Sequence, residues 1–359
     1  MRENCVINKN YTIEILRFIF SIFIILYHYY SYILSGSDSP KLFMHSYVGD
    51  EFFFMVSGFF LANSIMKKIE SITIQTSGGG YLKSRIKGIA LPYYISWILA
   101  FIGAHIPFTI KDFTHDLSNS IYELLFIDMA GFKVGYYVNE PAWYVSAFFM
   151  NILIFAPIAE HCGKKYFERI APAVAIFLYG LLALNTPVLY APHRVMYGFI
   201  YKGMIRCAAG INAGFALYGL LKNENFIDFL KKHKIETLFV QIISFLIILA
   251  YMILPTYKFE AARDYTIVIL FFVFLVTVLC SSSVVESMLQ KHPVVLWLGR
   301  FSVYIYFSQA IIYTHKVALH DWNISNYIKL PIWLALCFMA AFLVYGFARL
   351  INLIRKHVK

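Results

Sequence analysis

The chain has 359 residues, 60% of them apolar and only 14% charged, with a formal net charge of +11. A soluble domain carries roughly 45–50% apolar and about 25% charged residues, so this composition excludes disorder and argues against a soluble enzyme. The excess of positive charge then sets orientation in a bilayer, and no nucleic-acid partner is expected.

A hydrocarbon core about 30 Å thick needs about 20 apolar residues per helix. Windows of that kind lie at 11–34, 48–66, 89–108, 141–158, 170–186, 203–221, 236–255, 265–283, 294–314 and 330–354. The reading is an all-α polytopic membrane protein of about ten transmembrane helices, forming one membrane domain over 1–359. Pro172 and Pro187 confine the fifth window. The first lacks a small-residue cleavage site behind it, so it reads as a span and not as a signal peptide. With both termini cytoplasmic, the inner segments hold roughly twice the Lys and Arg of the outer ones, as the positive-inside rule requires. The outer segment 109–140 carries Asp112, Asp116, Glu123, Asp128 and Glu140, which fits an external face. Cys5, Cys162, Cys207, Cys280 and Cys337 are odd in number and scattered, which suggests neither a disulfide framework nor a metal site.

An ionisable side chain at membrane depth costs about 2.5–3.5 kcal/mol, so each is a candidate functional position. The first window has three. At about 100° per residue, Glu14, Arg17, Ser21 and His28 fall within about 60° of one another on one helix face. Arg17 and His28 are separated by roughly 16 Å along the axis. One face therefore offers an anion-binding fork at one depth and a titratable base at another. A plainer role is an i, i+3 pair of Glu14 with Arg17 that eases insertion, with His28 bonded to a neighbouring helix. The second window opens with Asp50 and Glu51, which suit the positive end of a helix dipole. Of the two, Glu51 is the expected partner of His28. Ser57 and Gly58 form a small notch of the kind that lets helices approach.

At these residues the sequence resembles acyltransferase family 3, the integral membrane acyltransferases of bacterial surface glycans. Its hallmark, a basic residue and a histidine separated by ten residues, is matched by Arg17 and His28 in EILRFIFSIFIILYH, with Glu14 in the usual acidic position. A second block is matched by EFFFMVSGF, with Glu51, Ser57 and Gly58, and a third by Arg85 and Pro92. Weaker echoes are Trp143-Tyr144-Val145 with Pro157, Arg206 before a glycine-containing helix, and LGRFSVYIYF ending at Phe307. Gln309 stands where the family usually has a histidine, and Gly88 where it often has a second arginine.

The resemblance implies transfer of an acyl group, by default acetyl from acetyl-CoA and without a metal, to a sugar hydroxyl. The carbohydrate acceptor is free or lipid-linked, and the location is the bacterial cytoplasmic membrane. An alcohol needs a base that titrates near pH 7, and histidine is that side chain. His28 is expected either to deprotonate the acceptor or to carry the acyl group briefly, with Glu51 holding its tautomer. Arg17 faces the donor side, where a guanidinium suits phosphate or a developing oxyanion. The loop SGGGYLKSRIKG at 77–88, with Arg85, is a candidate grip for CoA phosphates, although positive-inside orientation alone predicts a basic loop there. Arg206 is a second donor-side cation, and Trp143 and Tyr144 serve either an aromatic belt or sugar stacking. A buried Glu-Arg-His wedge would also suit a proton-coupled transporter or flippase of a glycan precursor, and an assembly partner without activity is a third reading. The acceptor's identity and the oligomeric state are not legible in the sequence.

Overall fold

The computed structural model describes residues 10–34, 41–70, 78–106, 108–131, 138–192, 195–255, 263–280, 284–290, 292–313, 321–322 and 324–357. Its first helix shows how the sequence sets an element. In α1 (Tyr11–His28) the Asn10 side chain accepts from the Ile13 amide, and Glu286, distant in sequence, accepts from the amides of Tyr11 and Thr12 at 2.9 and 2.8 Å. Three of the amides that a helix start leaves open are thus satisfied.

Nine helices among the described residues are long and apolar enough to cross a membrane. They correspond to α1, α2 (Gly49–Glu70), α3 (Gly78–Ala104), α6 (Trp143–Cys162), α7 (Ala171–Asn185), α8 (Lys202–Leu221), α10 (Lys234–Ile253), α13 (Val294–Tyr313) and α14 (Asn326–His357). A tenth, α11 (Arg263–Leu279), has 17 apolar-rich residues, still within the range of about 17–25 for a span. All ten expected windows coincide with these helices. Shorter pieces that hydropathy did not indicate are α4 (Ile110–Asn119), α5 (Ile121–Leu124), α9 (Glu224–Lys232), α12 (Val284–Leu289) and a hairpin pairing Met196–Tyr197 with Ile200–Tyr201.

Helix α8 is the centre of the bundle, buried along its length except at Leu220. It packs closely on α2, α6 and α7, and glycines decide how closely. A Cβ on Gly214 would lie 2.1 Å from the Met55 carbonyl oxygen, and one on Gly58 2.3 Å from that of Ile211. Gly58 therefore serves helix approach, the small-residue packing that lets backbones meet where lipid offers no hydrophobic drive. Around this centre, α1 lies on α13, and α13 on α3 and α14. The outer helices expose large apolar side chains such as Ile176 and Leu184 on α7, Phe239 and Leu246 on α10, and Phe342 and Leu350 on α14, as a lipid-facing surface requires.

Two expectations change. The basic stretch at 77–88 is not a loop: from Gly78 onward it is the first three turns of α3, so Lys83, Arg85 and Lys87 ride on a helix, while Ser77 lies outside the described residues. The acids of 109–140 are not all solvated either. Glu123 is buried and accepts from Trp97 Nε1 and from the amides of Val138 and Asn139, stapling α5 to the segment that leads into α6. Asp128 is buried as well, and its Oδ2 has no hydrogen-bond partner among the described residues. Cys162, Cys207 and Cys337 are free thiols, Cys280 is buried, and Cys5 falls outside the described residues.

Candidate active site

His28 is the last residue of α1, and the chain continues without a break into a π-helical turn, Tyr29–Ile33. Such turns widen a helix by one residue and recur at functional sites. Here the turn brings the Tyr32 ring to 5.8 Å from the imidazole. His28 faces a cavity of about 570 Å³, its mouth included, together with Asp50, Glu140, Trp143 and Arg206. Tyr27, Tyr32, Tyr47, Tyr190 and Tyr306 complete most of its wall. The cavity is thus an aromatic cup with carboxylates and one guanidinium at its edge.

The partner of His28 differs from the one expected. Its Nδ1 lies 2.6 Å from Gln309 Oε1 on α13. Glu51 is fully buried and committed elsewhere: Oε1 accepts from Arg206 Nε at 2.5 Å, and Oε2 accepts from the Tyr179 hydroxyl. The reason is register. Adjacent residues at a helix start point about 100° apart, and it is Asp50 that reaches the cavity while Glu51 turns inward to α8.

Arg206 is also displaced from its expected role. Four residues into α8, it sits on the His28 side, with Nη2 donating to the Tyr47 carbonyl at 2.7 Å and Nη1 to that of Leu189 at 3.2 Å. Asp50 Oδ2 lies 3.6 Å from Nη2, and the Trp143 ring faces the guanidinium at 5.7 Å. A fully buried cation is tolerable only with such compensation.

One wall of the cavity, 188–192, is held by buried polar groups. Lys202 donates to the carbonyls of Val188 and Tyr190, Arg206 to that of Leu189, and Asp264 Oδ2 accepts from the Leu189 amide at 2.7 Å. Asp264 also accepts from the Tyr47 and Tyr251 hydroxyls. These clamps hold Ala191 at φ +54°, a conformation that costs a residue with a side chain roughly 1 kcal/mol or more. Backbone strain at a cavity wall persists only where its surroundings over-determine it.

The other cations gather at the opposite depth. Arg17 pairs with Glu14 at 3.0 Å, its side chain 29% exposed, and lies 5.8 Å from the Phe60 ring centre. Glu14 in turn packs on Gly299 of α13 so tightly that a Cβ there would meet its carboxylate. Arg85 is within electrostatic reach of Arg17 and of Tyr144. Tyr144 stands between the two regions, in reach of Asp50 on one side and Arg17 on the other, and it shares a hydrogen bond with Ser57. Its ring stacks on Phe54 at 4.4 Å and meets Tyr306 edge-on at 6.1 Å. The expected residues therefore form two groups. His28, Arg206 and Trp143 line the cavity, with Glu51 behind them; Glu14, Arg17 and Arg85 lie beyond, and Tyr144 with Ser57 separates the groups.

Sequence reading missed Asp264, Lys202 and Tyr179. Asp264 and Lys202 flank the apolar windows 265–283 and 203–221, where charges are ordinary, and a tyrosine inside an apolar helix gives no signal. The membrane bundle and a half-buried histidine facing a cavity define a multi-pass protein with an enzyme-like site. A family model described as an acyltransferase domain matches residues 10–349, and the chain belongs to that family, acyltransferase family 3. It is a membrane acyltransferase. No curated protein and no solved structure matches it.

Proposed function

We propose that this protein transfers an acyl group, acetyl by default, from acyl-CoA to a hydroxyl of a surface or exported glycan in the bacterial cytoplasmic membrane. The observation that carries the reading is His28 at the edge of an aromatic, hydroxyl-lined cavity, with anion-binding arginines at another depth. Aromatic faces stack on the apolar faces of sugars, and carboxylates such as Asp50 and Glu140 accept from sugar hydroxyls. Arg17 and Arg85 suit the phosphates of the donor.

His28 then acts as general base. As the acceptor oxygen attacks the thioester carbonyl, its proton passes to the imidazole; the C–S bond breaks, and the proton goes on to the leaving thiolate. The products are the sugar ester and free thiol. The roughly 16 Å between Arg17 and His28 calls for a donor whose anionic part and reacting carbonyl lie far apart, as CoA provides.

The test is mass spectrometry of surface and lipid-linked glycans from host cells expressing wild type, His28→Ala, Arg17→Ala or no protein, at matched membrane levels. Loss of a general base costs about 10²–10⁴-fold, so O-acyl increments are expected with wild type alone. Identical increments in all four would refute the assignment, and the modified sugar names the acceptor.

A further inference from the structure

The base reading of His28 leaves open which ring nitrogen does the work, and the structure answers this through a residue that resembles nothing catalytic. We propose that Gln309 is a positioning residue that fixes the tautomer of His28, with the proton on Nδ1 and Nε2 left as the base. The inference rests on that reading of His28.

Gln309 is 1% exposed, so water does not compete for its amide. Its Nε2 donates to the Tyr306 carbonyl at 2.8 Å. A carbonyl oxygen only accepts, so the amide nitrogen must face it and the amide oxygen must face the imidazole. That oxygen, 2.6 Å from His28 Nδ1, also only accepts, so Nδ1 carries the hydrogen. In neutral imidazole the lone pair then sits on Nε2. Among the described residues, the charged or titratable groups around the ring include Tyr27, Tyr32 and Tyr313, at 5.1, 5.8 and 5.7 Å between ring centres, and Asp50, Glu140 and Arg206 across the cavity. Tyr313 donates to Glu140 Oε2 at 2.9 Å. An amide differs from the carboxylate of a hydrolase triad in one respect: it orients the ring without stabilising the imidazolium.

The full-length protein in detergent, labelled with ¹⁵N-histidine, provides the test, with the His28 signal assigned by its loss in His28→Phe. Wild type is expected to show the Nδ1–H tautomer in its neutral form. Gln309→Met, which removes the acceptor at similar volume, is expected to mix the tautomers. Loss of an imidazole's orienting partner costs on the order of 10–100-fold where metal-site histidines have been measured, and kcat should fall on that scale with KM for the acceptor unchanged. Gln309→Glu should retain the tautomer and move the acid limb of the pH–rate profile upward. An Nε2–H tautomer in wild type, or Gln309→Met with tautomer and kcat unchanged, would overturn the proposal. An Nδ1–H signal in a protein that acylates no glycan would support the positioning and refute the function.

Discussion

The pairing of Glu51 with Arg206 is the most consequential contact that separates a structural from a catalytic acid here. Removing one partner of a buried pair leaves an uncompensated charge and costs roughly 3–5 kcal/mol. Glu51→Ala is therefore expected to lower thermal stability sharply, read as the unfolding temperature in detergent. Unchanged stability with lost activity would return Glu51 to a catalytic role. For Arg17→Ala the expectation is reversed: little change in stability, because the pair with Glu14 is partly exposed, and KM for the donor raised about tenfold or more for the loss of a charge-assisted hydrogen bond. Arg17, His28 and Arg206 were legible in the sequence because a charge inside an apolar run has few explanations. Tyr179 was not, since an uncharged polar side chain in a span is unremarkable until its partner is seen, and Gln309 stood out only as a departure from the family pattern, with no sign of its bond to His28. Asp50 and Glu51 were found as a pair but assigned in the wrong order, because pattern alone does not give the rotation of a helix about its axis.

Glycines separate positions where a helix is pressed on its neighbour from positions where it is free. Gly214→Ala would drive a methyl group into the Met55 carbonyl oxygen, and overpacking of this kind costs about 1–3 kcal/mol. Gly88, in the exposed part of α3, has nothing within 4 Å of a Cβ. Gly88→Ala should match or slightly exceed wild-type stability through helix propensity. Paired melting curves of the two variants test the packing of α2 on α8. The ten spans were legible because length and hydropathy leave little choice for twenty apolar residues in a bilayer. The start of α3 was misread because three glycines and alternating basic residues imitate a loop. The amphipathic α4 and α9 were missed because ten residues of mixed polarity become a helix only against a surface.

The whole molecule is a bundle whose connection between α3 and α6 buries two acids, Glu123 and Asp128, among its described residues, and this has a pH signature. Burial pushes the Asp128 carboxyl up to about 8 and that of Glu123 up to about 7. An unfolded carboxyl titrates near 4, so between about pH 4 and 8 the folded state holds more protons and stability falls as pH rises. Asp128→Asn removes its share of this loss, and its unfolding temperature should exceed that of wild type by a margin that grows up to about pH 8. A constant margin would contradict the burial. The aromatic layer at Tyr144 has an electrical meaning as well. Under the proposed function this ring lies between the Arg17 group and the His28 cavity, where a voltage across the membrane would act on any charge that passes. Each elementary charge crossing it would cost about 2.3 kcal/mol per 100 mV, so the proposed route would favour a neutral thioester over its phosphates. Tyr144→Gly should make proteoliposomes leak protons, which a pH-sensitive dye inside them would report. On the proposed assignment of donor and acceptor sides, the ring between them would then also keep the enzyme from discharging an energised membrane.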